Sequence, residues 1–338
     1  MDKIKGFLKR KDIVFSLKRY GIEALSSMAL GLFSSLVVGL IMRELGTHLG
    51  LPFLVQAGVF AMSLSGASIG AAVAFGLKAP SLVLFSSIIT GFMGNELGGP
   101  AGAFVAAALG AELGKLVSKE TKVDIIVTPV TTIVAGFFAA AWVGPWINVF
   151  MTSIGALIMW ATELMPLPMG VLVSAIMGLV LTAPISSAAL AIMLELSGIA
   201  AGAAAAGGCA HMIGFAVASF RENGASGLIS QGLGTSMLQI PNVIKNPRIL
   251  IPAVSASIVA GPLSTVVFRM ENIPTGAGMG TSGLVGQFGA LSAMGYSSNT
   301  FIAILIVHII TPAVVALIVS ELMRKKGVIK YGDMKLNL

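Results

Sequence analysis

The stretch Ala135-Gly-Phe-Phe-Ala-Ala-Ala-Trp-Val-Gly-Pro-Trp-Ile-Asn-Val-Phe-Met-Thr-Ser-Ile-Gly-Ala-Leu-Ile-Met-Trp160 contains no charged side chain. It sits in a longer window, from Lys122 to Arg221, whose interior has no Lys or Arg and only Asp124, Glu163 and Glu195 as charges. A helix needs about 20 apolar residues to cross a hydrocarbon core. The window therefore reads as several membrane crossings joined by very short loops.

The rest of the chain agrees. Its 338 residues are 56% hydrophobic and 10% charged, with a mean hydropathy of +0.95. A soluble globular protein carries roughly 25% charged residues. A cytosolic enzyme, a secreted disulfide scaffold and a disordered tail protein are excluded, and the one cysteine, Cys209, has no partner for an internal disulfide. The net charge of +7 is assigned to lipid headgroups and the positive-inside bias, with no role for nucleic acid.

The basic residues cluster at both ends. Lys3, Lys5, Lys9, Arg10, Lys11, Lys18 and Arg19 open the chain, and Arg324, Lys325, Lys326, Lys330 and Lys335 close it. Ile4, Phe7, Leu8, Val14 and Phe15 recur at helical spacing among the first set. This predicts a cytoplasmic, interfacial amphipathic helix over 1–20, a transmembrane domain over 21–323 and a basic cytoplasmic tail over 324–338.

The fold class is an all-α polytopic membrane protein of about ten transmembrane helices plus two re-entrant hairpins. Expected spans are 22–42, 51–77, 98–117, 123–143, 146–164, 167–190, 198–220, 249–268 and 299–322; the short run 79–94 is a tenth span or half of a hairpin. Residues 225–240 and 274–294 are rich in Gly, Ser, Thr, Gln and Pro. Irregular backbone at membrane depth survives only where protein or a water-filled cavity covers it, so both are read as re-entrant segments lining a site. The positive-inside rule then puts Arg43, His48 and Arg269 outside, most other basic residues inside, and both termini in the cytoplasm of a plasma-membrane protein. A weak internal repeat matches Ile69–Ala74 to Ile213–Ala218, Gly31 and Gly39 to Gly170 and Gly178, and Ile133–Gly136 to Ile258–Gly261. Shared order makes it a parallel repeat; shared small-residue packing would give the same matches.

Neither a catalytic motif nor a metal-ligand spacing is visible, and no cofactor is expected. Polar groups inside apolar segments are the candidates. Glu96, beside Asn95 and before Gly98-Gly-Pro100, is either a ligand group at an unwound turn or a loop residue. His211 is either a site residue or a hydrogen-bonded core histidine, and His308 is expected to pair between helices. Glu163 and Glu195 read as helix ends. Gln231, Gln239, Asn242 and Asn246 interleave with Pro241 and Pro247, while Asn272, Thr275, Thr281, Ser282 and Gln287 lie among the glycines of the second irregular segment. Neutral amides and hydroxyls suit a small polar, uncharged ligand; a strongly anionic one would more often meet Arg or Lys. The amides Gln239, Asn242 and Asn246 are expected to face an aqueous cavity, since each would cost roughly 2–7 kcal/mol unpartnered in an apolar medium.

Ile240-Pro-Asn-Val-Ile-Lys-Asn-Pro-Arg-Ile-Leu-Ile-Pro252 and Asn272-Ile-Pro-Thr-Gly-Ala-Gly278 resemble segments of the enzyme IIC components of the bacterial phosphotransferase system, in a divergent branch that includes regulators of the perfringolysin O regulator type. The resemblance implies a permease for a sugar-like solute, a homodimer, and separate IIA and IIB polypeptides, since no such domain is attached. It makes His211 a match to the family's histidine near the phosphorylated hydroxyl. Where sugar-transporting members carry an Asn-Glu-Pro turn, this chain has Gly234-Thr235-Ser236. A membrane sensor or regulator, and a proton- or cation-coupled transporter using Glu96, stay open beside the permease. A reporter fused after Lys326 is expected to be cytoplasmic; a signal from the opposite face in an orientation assay overturns that topology.

Overall fold

The computed structural model describes residues 2–336, with the side chains of 2–5, 48, 148 and 193 left out, so the readings placed on Lys3, Ile4, Lys5 and the His48 side chain fall outside the described residues. Helices dominate, and the chain divides into two compact units, 1–150 and 151–338. Among the described residues six helices are long and apolar enough to cross a membrane; a seventh arises if Pro52–Ser63 and Ser65–Gly76, bent by 54°, form one span. About ten spans were expected. The counts differ in three ways: the expected pairs 79–94 with 98–117 and 123–143 with 146–164 each fall within one long helical run, 51–77 is the bent pair, and the helix expected at 167–190 stops at Thr182, short of a full span.

In the first unit, the leader helix Asp2–Arg10 is shorter than the sequence pattern suggests. It stops because Asp12 takes a left-handed φ of 52°, and Val14 and Phe15 lie outside it, exposed. The long helix Ser81–Val117 is two arms, interrupted at Gly98 and at Gly99, whose φ of 58° only glycine adopts without strain. Pro100 then starts the second arm, where its missing N–H costs no helical bond. The arms run antiparallel: a Cβ on Gly102 would lie 2.3 Å from the Gly94 carbonyl oxygen, and one on Gly114 would lie 3.1 Å from Val83. Residues 81–97 and 100–117 are thus two antiparallel arms, an arrangement shared by a pair of spans and a hairpin. The helix Asp124–Thr162 passes through Pro129 and Pro145, so Gly144-Pro145 is not the inter-span loop it resembles. Phe138, Trp142 and Trp146 stand exposed along it, a surface suited to lipid.

One end of this unit is tied by an ionic knot. Lys115, 1% exposed, donates to the carbonyls of Asp12 at 2.7 Å and Leu77 at 3.0 Å, and pairs with Glu112 at 3.2 Å. Arg19 donates to the same Leu77 carbonyl at 2.7 Å and to the Asp12 carboxylate at 2.6 Å. Leu77 caps helix 65–76, so both cations sit at the negative end of its dipole.

In the second unit, three helices form the core: Pro166–Thr182, Gly198–Ala218 and the run Pro247–Val267. They approach through small residues. A Cβ on Gly207 would lie 1.9 Å from the Ser174 carbonyl oxygen, and one on Gly261 would lie 2.0 Å from that of Gly170. Ser174 donates to the Ser257 carbonyl at 2.8 Å. Helices 166–182 and 198–218 run parallel, since Ser174 meets Gly207 and Thr182 meets His211. This corrects the repeat: the matched segments of the first unit are antiparallel, with Gly31 against Ser68 and Ala72 and Gly39 against Gly58 and Ala61. The sequence matches record small-residue contacts, not a shared packing.

The two irregular segments are broken into short pieces. Residues 220–249 pass through Phe220–Ile229, with a break at Gly224, then Ser230–Gly234, Ser236–Gln239, Ile240–Lys245 and Pro247–Ile249. Residues 274–294 comprise Pro274–Ala277, a glycine turn and Val285–Met294. The helices expected to end at Glu163 and Glu195 do stop there, at Thr162 and Met193. The tail is not a free basic extension: Ile329 and Met334 are buried with Phe215, Ala218, Ile249 and Ala253.

Lys115→Met should cost about 3–5 kcal/mol, because it strands the buried Glu112 carboxylate. Thermal unfolding in detergent reads this as a large fall in midpoint. The double variant Lys115→Met/Glu112→Gln should recover most of it; equal loss in both would show that the pair does not carry the cost.

Candidate functional site

The candidate residues fall into both units. Asn95 and Glu96 belong to the first, still inside the helical arm, with Glu96 exposed just before the Gly98–Gly99 break. The rest belong to the second unit.

There the turn Ser236–Gln239 carries polar contacts on two sides. On one, the Ser236 hydroxyl lies 2.9 Å from Thr182 Oγ1, which is 2.7 Å from His211 Nδ1. Thr182 also donates to the Gly178 carbonyl at 3.1 Å. That hydroxyl has one proton for three neighbours, so the proton order along this polar chain follows the imidazole tautomer. His211 Nε2 is buried without a hydrogen-bond partner among the described residues. Its ring edge lies against Gly178, where a Cβ would come within 2.4 Å of Cδ2.

On the other side runs an amide ladder. Gln231 donates to the Ser219 hydroxyl and the Gly227 carbonyl, each at 2.9 Å. Gln239 donates to Gln231 Oε1 at 2.8 Å, and Asn242 donates to Gln239 Oε1 at 2.8 Å. The expectation of an aqueous cavity at Gln239, Asn242 and Asn246 is not met. Gln239 and Asn242 are buried, and the chain's own C-terminal segment supplies their partners: Met334 O accepts from Gln239 at 3.0 Å and Lys335 O from Asn242 at 2.9 Å. Asn246 donates to the Asp333 carboxylate at 2.8 Å. Polypeptide carbonyls solve the desolvation problem that the sequence pattern assigned to water.

The second irregular segment is pinned from within. Asn272 donates to the Gly286 carbonyl at 2.8 Å, and its own N–H donates to the Gly198 carbonyl at 3.2 Å. Thr281 reaches only Met212 Sδ, at 3.4 Å. Ser282 is buried and Thr275 exposed. Gln287 lies 3.4 Å from Cys209 Sγ and 3.2 Å from His308 Nδ1, so His308 does pair between helices. Gln287 Oε1 and His308 Nε2 are buried without partners.

Two features escaped the sequence reading. The first is the buried Lys115–Glu112 pair within the expected span 98–117, whose i, i+3 spacing inside a Gly/Ala-rich helix is a usable signal. Beside them Arg10, Lys11, Lys78, Lys115 and Lys119, with two carboxylates, line a cavity of about 350 Å³. There Lys11's hydrogen bond, with Arg10 alongside, holds the Glu120 carboxyl below the usual carboxylate range. The second feature is the tail's occupation of the amide ladder, for which the sequence offered no signal.

Gly178→Ala should push the His211 ring off Thr182 at a cost of about 1–3 kcal/mol, the usual penalty of overpacking. Gly232→Ala, whose nearest neighbour would be 3.6 Å away, should leave the melting midpoint unchanged. Equal midpoints for the two variants would show that the ring moves freely.

No curated protein and no solved structure matches the chain. A family model, Phosphotransferase system, EIIC, matches residues 22–336, nearly the whole described chain and both units. The protein is therefore a member of the phosphotransferase system EIIC family, an integral membrane component of that transport system.

Proposed function

We propose that the second unit binds and moves a small polar, sugar-like solute, as the membrane permease of a phosphotransferase system whose IIA and IIB components are separate polypeptides. In this reading the protein is a homodimer in the plasma membrane with both termini cytoplasmic, and the segments 225–240 and 274–294 are re-entrant. The observation that carries the proposal is the polar chain on the Ser236–Gln239 turn: His211, Thr182 and Ser236 on one side, Gln239, Gln231 and Asn242 on the other. It is neutral, buried and built on broken helices inside an apolar bundle. Neutral donors and acceptors can exchange their partners for a polyol's hydroxyls without stranding a charge. His211 Nε2, unpartnered, is the ring nitrogen such a hydroxyl would meet.

A ligand sensor of the same fold is the second reading. The Gly234-Thr235-Ser236 sequence supports it, standing where sugar-transporting members have a glutamate-bearing turn. Proton coupling through Glu96 gains no support from its exposed position.

The test is uptake of radiolabelled hexoses and pentitols into sealed proteoliposomes, with and without a pH gradient and with a cognate IIA/IIB pair in its phosphorylated form as the phosphoryl donor. Phosphorylated solute inside the vesicles, insensitive to the gradient and lost in Thr182→Val, is the expected result. Solute binding without uptake would replace the permease by the sensor, and gradient-driven uptake would replace it by an ion-coupled carrier.

A further inference from the structure

The helix Ser298–Lys325 ends in a turn at Gly327, whose φ is +69°, and the chain folds back to lie along the second unit. Side chains of that unit read its peptide groups in register. Glu222 accepts from Gly332 N at 3.1 Å and Met334 N at 2.9 Å. Asn223 accepts from Leu336 N at 2.8 Å and donates to Met334 O at 2.9 Å. Gln239 and Asn242 complete the set on Met334 O and Lys335 O. Met334 itself fills an apolar socket beside Phe215 and Ile249. This is a peptide-binding cradle with its ligand in place, and the ligand is this chain.

The outer side of the same segment is open. Lys330, Tyr331, Gly332 and Lys335 are exposed. Gly327 and Gly332, at φ +69° and +97°, have open space where a Cβ would stand. A segment held by the Glu222 carboxylate and neutral amides on one side, wet on the other and hinged on two glycines can leave by exchanging those bonds and withdrawing Met334 from its socket. The amide protons that hold it on Gln239 and Asn242 are those of the proposed solute site.

We propose that residues 330–336 are a displaceable plug, an intramolecular peptide ligand of the amide ladder, and that solute and plug exclude one another. The exclusion follows from donor count: a proton of Gln239 Nε2 given to Met334 O is not available to a solute oxygen. The mutual exclusion rests on the solute-site reading above; the cradle and its occupant do not.

The experiment places Asn242→Cys in a Cys209→Ser background and follows its reaction with a membrane-impermeant maleimide in open membrane sheets. In the full chain, labelling is expected to be slow. Deleting 327–338 should speed it on the order of tenfold by removing the occupied state. A synthetic peptide of residues 327–338 should restore protection, and a scrambled peptide should not. If the deletion fails to fold, Gly332→Pro takes its place: it removes the N–H that Glu222 holds and forbids the positive φ, while keeping every other residue. Monodisperse elution identifies the folded arm. Equal labelling of full-length and released proteins, fast or slow, overturns the plug, as does a scrambled peptide that protects as well as the true one. The readout needs no transport. A plug that behaves as expected in a protein that takes up no solute would leave the cradle standing and remove the permease.

Discussion

The approach of helix 198–218 to helix 166–182 is the contact from which the second unit is built. Gly207 lies on the Ser174 backbone with no room for a Cβ, and Ser174 in turn bonds the Ser257 carbonyl of the third helix. Lipid chains are as apolar as the helices themselves, so association must come from close van der Waals contact and interhelical hydrogen bonds. Both are supplied at one level of the bundle by three residues without large side chains. One turn further on, the same close approach brings Thr182 to His211, which is why a buried polar chain exists there at all.

The first unit is closed by a different means. Its knot of Arg19, Lys115, Asp12 and Glu112 converges on the free carbonyl of Leu77. A buried charge cluster is weak evidence for stability but is intolerant of partial removal. The small-residue seam behaves the other way: it forgives loss of a hydrogen bond and rejects a single added methyl.

What could be read in the sequence is what local chemistry decides. Apolar runs gave the helices at 198–218, 247–267 and 298–325 nearly to the residue, and Gly, Pro and amide clusters located both broken segments. Asn95 and Glu96 illustrate the limit. The Gly98-Gly-Pro100 break was visible, but the helix continues past Glu96 and leaves that carboxylate exposed, because the φ-permissive residues lie two positions later. The parallel packing of 166–182 and 198–218 was hidden, since Gly and Ser fit a neighbour of either direction. The tail was hidden for a different reason. Its partners lie some ninety positions away, as in Asn242 with Lys335, and a sequence such as Tyr331-Gly-Asp-Met-Lys335 reads as solvated when its contacts are made by backbone.

The parallel pair has a consequence for how this chain threads a bilayer. Thr182 ends one helix level with His211, yet the next helix begins at Gly198, thirteen residues earlier, or about 20 Å lower at 1.5 Å per residue. The polypeptide must descend that distance between 183 and 197, through Pro184 and the short helix Ser187–Met193. That drop is about two-thirds of a hydrocarbon core of about 30 Å. A traverse made of a proline bend, two helical turns and a coil escapes any tally of long apolar helices. The number of long apolar helices is therefore smaller than the number of times the chain runs along the bundle.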